Sequence, residues 1–202
     1  MTEKYITSTP GREAVTISRN AEERNSKSTM DPRRVFVVHG RNLKARNAMF
    51  TFLRSLSLSP VEWNEASLAT GKPSPYVGEI LDFAFSQAAA VLVLMTPDDS
   101  ASLREEYRGS HEPAHETEPT GQARPNVLFE AGMAMGRDPN RTILVELGVV
   151  RPFSDIAGRH MIRMNDSTSR RQELAQRLLS AGCAVSMMGV DWHTVGDFEA
   201  SI

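Results

Sequence analysis

A three-layer α/β sandwich on a parallel sheet of about five strands is the fold class predicted for this 202-residue sequence. Three observations predict it. Short continuous apolar runs, Val35-Phe36-Val37-Val38 and Ala90–Met95, read as strands buried on both faces. Segments of helical period stand between such runs, the first carrying Ala45, Met49, Phe52, Leu53 and Leu56. Strand and helix then alternate along the chain, which is the pattern of βαβ units with helices on both faces of one sheet. The arrangement is flavodoxin-like.

Taken in order, residues 1–33 are rich in Thr, Ser, Glu, Arg and Asn, and Ile6, Val15 and Ile17 form no period, so they are expected to be a flexible N-terminal arm. The first strand ends at His39-Gly40-Arg41, and Asn42 is placed to cap the following helix. A second strand, about Pro60–Trp63, runs into a polar loop from Asn64 to Ser74. The next helix, Pro75 to Ala88, has proline in its first turn. Ala90–Met95 follows as the central strand, stopped by Thr96-Pro97-Asp98-Asp99, and a long polar segment extends from Ser100 to Arg124. Beyond it come a helix from Pro125 to Gly136, a strand Thr142–Leu147, a short strand near His160–Met164, and a helix from Thr168 to Ala181 with Gly182 as its C-cap. Residues 34–184 are therefore read as one domain, and 185–202 as a C-terminal extension packed on or near it.

Composition narrows the function. The formal net charge is -2 and the pI about 6.2, with no basic face for direct nucleic-acid binding. No apolar run approaches the roughly 18–20 residues a membrane span needs, and no leader is evident, so a cytoplasmic location without membrane contact is expected. The single cysteine, Cys183, is read as a buried structural thiol. The glycine-rich fingerprints of dinucleotide and NTP phosphate sites are absent.

One motif points elsewhere. His111-Glu112-Pro113-Ala114-His115 matches the H-E-x-x-H pattern of zinc peptidases, which needs both imidazoles on one helical face. Pro113 between the histidines, with Gly109, Pro119 and Gly121 around them, opposes such a helix. No metal is expected there; the segment is read instead as a polar insertion placed to act as a flap.

Ligands of an open α/β sheet bind beyond the C-terminal strand ends, where strand order reverses. There this chain places His39, Gly40 and Arg41, then Asp98 and Asp99, then Arg124, Asn126 and Glu130. At 100° per residue Asn126, Glu130, Met133 and Arg137 fall in one stripe, opposite a core side of Val127, Leu128, Ala131, Ala134 and Met135. Gly132 and Gly136 are read as letting this helix approach the sheet closely. Each polar residue also has an ordinary reading: a solvated helix glutamate, a strand-end histidine bonded to backbone, an exposed arginine, a self-capping Pro-Asp turn.

The segments VFVVHGRN, VLMTPDD and QARPNVLFEAGMAMGR, in that order between Val35 and Gly182, resemble the bacterial TIR-like nucleotide-binding domain of cyclic-nucleotide-gated antiphage effectors. The resemblance implies a TIR-like fold whose active members cleave the nicotinamide–ribose bond of NAD. It implies Glu130 as the catalytic glutamate, with His39, Gly40, Arg41, Asp98, Arg124 and Asn126 binding substrate; Asp99 joins them by its place at the strand end. NAD would be substrate, with no resident cofactor. Implied partners are other copies of the chain through TIR–TIR contacts, and a separate sensor protein or a cyclic-nucleotide signal as activator. The Asn64–Ser74 and Ser100–Arg124 segments are longer than the family pattern. Two alternatives stand beside this reading: a non-catalytic TIR-like nucleotide-binding or adaptor module, and a nucleoside 2-deoxyribosyltransferase-like enzyme.

Overall fold

The computed structural model describes residues 30–153 and 158–201; residues 1–29, most of the segment read as an arm, lie outside the described residues. In chain order the elements are β1 (Asp31–His39), α1 (Leu43–Ser55), β2 (Ser59–Val61), α2 (Trp63–Ala69), α3 (Val77–Gln87), β3 (Ala88–Met95), β4 (Asp99–Ala101), α4 (Ala114–Thr117), β5 (Thr120–Gln122), α5 (Pro125–Arg137), β6 (Thr142–Leu147), β7 (Ile162–Met164) and α6 (Thr168–Ser180). Five of the strands form one sheet in the order β2-β1-β3-β6-β7, every pair parallel. This is the predicted flavodoxin-like, TIR-like α/β sandwich.

The sheet separates two apolar layers, and strand residues alternate between them. Val35, Val37, Leu92 and Leu94 pack with α1 and α6; Phe36, Val38, Val91, Val93 and Met95 pack with α3 and α5. Because β3 is buried along its whole length, it reads as an unbroken apolar run rather than an alternating one.

Three local expectations are corrected. β1 starts at Asp31, inside the segment read as arm, because Asp31 pairs with Ala88 and the Pro32 carbonyl accepts the Ala184 N–H at 2.8 Å. The Asn64–Ser74 stretch is no loop throughout: α2 occupies Trp63–Ala69, where Glu65, Ala66, Leu68 and Ala69 favour helix, but it buries only Ala66 and so lacks an apolar stripe. The polar segment after β3 closes at its base as a two-stranded antiparallel ladder, Asp99 opposite Gln122 and Ala101 opposite Thr120. Its helix α4 begins at Ala114 behind Pro113, so His111 lies outside the helix and the two histidines of the zinc-like motif do not share a turn.

α2 is the least anchored helix of the sandwich. With one buried side chain it is held by the ion pairs Arg34–Glu65 (2.9 Å) and Arg46–Glu62 (2.5 Å), contacts of about 0–1 kcal/mol each. Such an element opens more readily than the core strands.

The C-terminal segment, by contrast, is part of the core. Phe198 is fully buried against Phe52, ring centroids 6.0 Å apart. Arg171 on α6, 1% exposed, lies over Phe198 at 4.9 Å and donates to Asp166 Oδ1 (2.7 Å), to the Gly196 carbonyl (2.8 Å) and to the Val195 carbonyl. Asp166 completes the knot by accepting the N–H groups of Phe198 and Glu199, each at 3.0 Å. At the far end, Asn42 Nδ2 donates to the Ser201 carbonyl (2.6 Å) while Asn42 Oδ1 caps α1 through the Ala45 N–H (3.0 Å). Cys183 is buried beside this layer, and desolvation pushes its thiol up to about 11, which keeps it unreactive.

Replacing Arg171 with methionine retains volume but removes the donor it supplies to the Val195 and Gly196 carbonyls and to Asp166. Arg171→Met is expected to lower unfolding free energy by about 2–4 kcal/mol in urea titration at neutral pH. A change under about 0.5 kcal/mol would show that the tail does not depend on this side chain.

Candidate functional site

Strand order reverses between β1 and β3, since β1 leads to β2 on one side and β3 to β6 on the other. The backbone diverges there and leaves a crevice at the C-terminal strand ends. A cleft of 280 Å³ fills it, lined by Val37, Val38, His39, Gly40, Arg41, Trp63, Arg124, Asn126, Val127 and Glu130. Six of the eight predicted site residues therefore share one cavity; Asp98 and Asp99 do not line it.

The two aspartates act from behind the wall. Asp98 Oδ1 accepts the Thr96 hydroxyl at 2.6 Å and Oδ2 accepts the Arg41 N–H at 2.5 Å, which fixes the turn after β1. The turn presses so closely on this carboxylate that a Cβ at Gly40 would overlap Asp98 Oδ2 and displace it from the Arg41 N–H. Asp99 pairs at 3.2 Å with Arg124, which lines the cleft. Both are positioning residues.

His39 Nδ1 lies 2.8 Å from the Gly40 carbonyl. A carbonyl can only accept, so Nδ1 carries the proton and a neutral ring offers Nε2 as an acceptor. Arg41 is exposed, and among the described residues its guanidinium has no ion-pair partner, which leaves it free for an anion.

Glu130 comes from α5, whose entry Pro125 occupies the first turn. Val127, Ala131 and Ala134 bury one side of the helix. The stripe Asn126–Glu130–Met133–Arg137 faces α3, where Arg137 pairs with Asp82 and Met133 stands at Gly78. Its first two members overhang the cleft. Gly132 and Gly136 lie on the exposed side with nothing within 4 Å of where a Cβ would stand, which corrects their assignment to close helix–sheet approach. The alanines of the buried face serve that approach instead.

Among the described residues no group donates a hydrogen bond to the Glu130 carboxylate and no cation pairs with it. Desolvation by burial is unopposed and raises its pKa to about 7. A half-buried carboxylate without a partner, at the switch point of an α/β sheet, is placed to meet a positively polarised centre on a ligand.

Trp63 is the wall residue that sequence reasoning missed. It opens α2, packs on Phe36 with centroids 6.0 Å apart, and faces the cleft. A tryptophan leading a segment with several helix formers after a strand was the available signal; the lack of an apolar stripe in α2 hid it.

A larger cavity of 1020 Å³ lies on the other side of the α5 entry, and none of the predicted site residues lines it. His115 and Glu116 of the Ser100–Arg124 segment face that cavity, and before Arg124 no residue of the segment lines the Glu130 cleft. The segment is thus not a flap over Glu130.

Among known protein families, the one described as "CAP12/Pycsar effector protein, TIR domain" matches residues 34–166, well over half of the chain. No curated protein matches.

The raised pKa of Glu130 has a sign for stability. Between about 4.5 and 7 the folded state holds a proton that the unfolded state has released, so stability falls as pH rises through that window. Glu130→Gln removes the cost of a desolvated charge. It is expected to raise unfolding free energy by on the order of 1–3 kcal/mol at pH 8 and to leave it nearly unchanged at pH 4. Thermal melts at the two pH values measure this; equal shifts at both would show that Glu130 is not desolvated.

Proposed function

The chain belongs to the TIR-domain family of CAP12/Pycsar effector proteins, and from that premise we propose that it cleaves the nicotinamide–ribose bond of NAD in bacterial stress or antiphage signalling, active on self-assembly. One observation carries the reading. Glu130, a partnerless desolvated carboxylate, shares a cleft with His39, Gly40, Arg41, Arg124 and Asn126.

The chemistry suits such a site. Nicotinamide is cationic in NAD and leaves neutral, so its departure needs no proton, unlike that of an alcohol from an ordinary glycoside. The C–N electron pair goes to the ring, positive charge develops on the ribose, and a carboxylate in low dielectric stabilises it. Water then adds at the anomeric carbon, and Glu130 can take its proton. The free Arg41 guanidinium, and Arg124 in the cleft lining, suit pyrophosphate oxygens; Asn126 and His39 Nε2 suit sugar hydroxyls. In this reading NAD is substrate, other copies of the chain are partners, and activation comes from a cyclic-nucleotide signal or a sensor protein in the cytoplasm. No described helix is long and apolar enough to cross a membrane.

The test compares nicotinamide release by the wild-type chain and Glu130→Gln at high protein concentration with a crowding agent. Release by the variant is expected to fall at least about a hundredfold. The wild-type kcat/KM should rise with pH through about 7, as the carboxylate forms. Equal release by both proteins would remove Glu130 from the reaction. Base exchange on deoxynucleosides with NAD left intact would replace hydrolysis by ribosyl transfer.

A further inference from the structure

Among the described residues the two faces of the sheet are not covered alike. A right-handed β6-to-β7 crossover belongs on the side of α3 and α5, where parallel sheets ordinarily carry helices. The described residues of the 148–161 connection form neither helix nor strand. The 1020 Å³ cavity lies against this side, beyond the ends of β3, β6 and β7.

Its floor is charged. Met95, Glu146 and Arg163 are register partners on the three strands, so their side chains leave the sheet on one face, the α5 face to which Met95 belongs. The Glu146 side chain is only 10% exposed; its nearest cation is Arg163, 3.8 Å away and itself 78% exposed. The Val150 N–H donates to it, yet desolvation still leaves its pKa raised. A buried carboxylate accepts several hydrogen bonds and gives none, so at the floor of a cavity it calls for donors from a ligand.

The walls add two requirements. Leu128, Phe153 and Met161 are partly buried apolar groups suited to the faces of a flat ring. Arg159 is exposed on the cavity lining, whereas Arg151 is already matched by Glu116 and Arg163 stands beside Glu146. The volume is at the upper end of small-ligand sites, about 300–1,000 Å³. Donor edge within, flat apolar body, anion outside: a polyamine lacks the anion and a fatty acid lacks the donors.

We propose that this cavity is a second ligand site, taking a nucleoside monophosphate whose base turns an N–H edge to Glu146 while its phosphate meets Arg159. A guanine edge offers two adjacent donors that match a carboxylate, an inosine base offers one, and uracil flanks its single N–H with carbonyls that the carboxylate repels. The site is separate from the Glu130 cleft and does not depend on NAD cleavage: only the start of α5 divides them, with Asn126 and Val127 on one side and Leu128 on the other.

Isothermal titration of the full chain with GMP, IMP and UMP tests this. Saturable binding of GMP is expected, with IMP about tenfold weaker and UMP weaker still. Glu146→Gln and the exposed Arg159→Ala should each weaken GMP binding at least about tenfold, with far-UV circular dichroism unchanged, while Arg41→Ala in the other cleft leaves it intact. Failure of GMP to saturate, equal affinity for GMP and UMP, or loss of binding in Arg41→Ala with retention in Glu146→Gln would each overturn the proposal. So would concentration-dependent self-association that buries the cavity and excludes GMP.

Discussion

β1 and β3 run side by side through the centre of the molecule, paired from Val35 with Ala90 to His39 with Leu94 and buried on both faces. From Val35 to Val38 in β1 and along all of β3 there is no exposed face on which a polar residue could be placed, so on this side the first polar groups occur at or beyond the C-terminal strand ends. The chain leaves β1 toward β2 and leaves β3 toward β6, and the two exits open a crevice that apolar side chains do not fill. The candidate site is a consequence of that pairing. Its residues come from sequence positions about ninety apart yet need little further machinery to meet.

Holding the crevice open uses two carboxylates in opposite ways. Asp98 is satisfied on both oxygens, by Thr96 and by the Arg41 backbone, and its value lies in rigidity. Glu130 is left without a partner and retains a proton to about pH 7. The first arrangement is what a stable turn requires. The second costs stability and is the kind of local conflict that marks a functional position. The weakly anchored α2, which contributes Trp63, lies on the same cleft. The site therefore joins a fixed wall to a yielding one, an arrangement suited to ligand entry.

The C-terminal segment reinforces the fixed wall. Arg171 and Asp166 tie the segment to α6, and its last described turn reaches Asn42, the cap of α1 and the residue directly after Arg41. Burial of Phe198 and the hydrogen bonds of Asn42 thus bear on the loop that lines the cleft. On the opposite face of the sheet the connection between β6 and β7 leaves Glu146 at the floor of a cavity.

Much of this was legible in one dimension because burial leaves a periodic trace. Continuous apolar runs mark β1, β3 and β6, a 3.6-residue period marks α1, α5 and α6, and polar residues at strand ends mark the cleft. What had no period was not legible. α2 buries a single alanine, the ladder of β4 with β5 joins residues about twenty apart, and Gly132 and Gly136 look the same in sequence whether they face sheet or solvent. The sequence by itself determined the sandwich and the polar residues its strand ends would bring together. Only the tertiary structure decided that Asp98 and Asp99 brace the wall while Glu130 faces the cleft alone, and that Trp63 completes it. Partnership and desolvation are set by neighbours distant along the chain, and no local pattern records them.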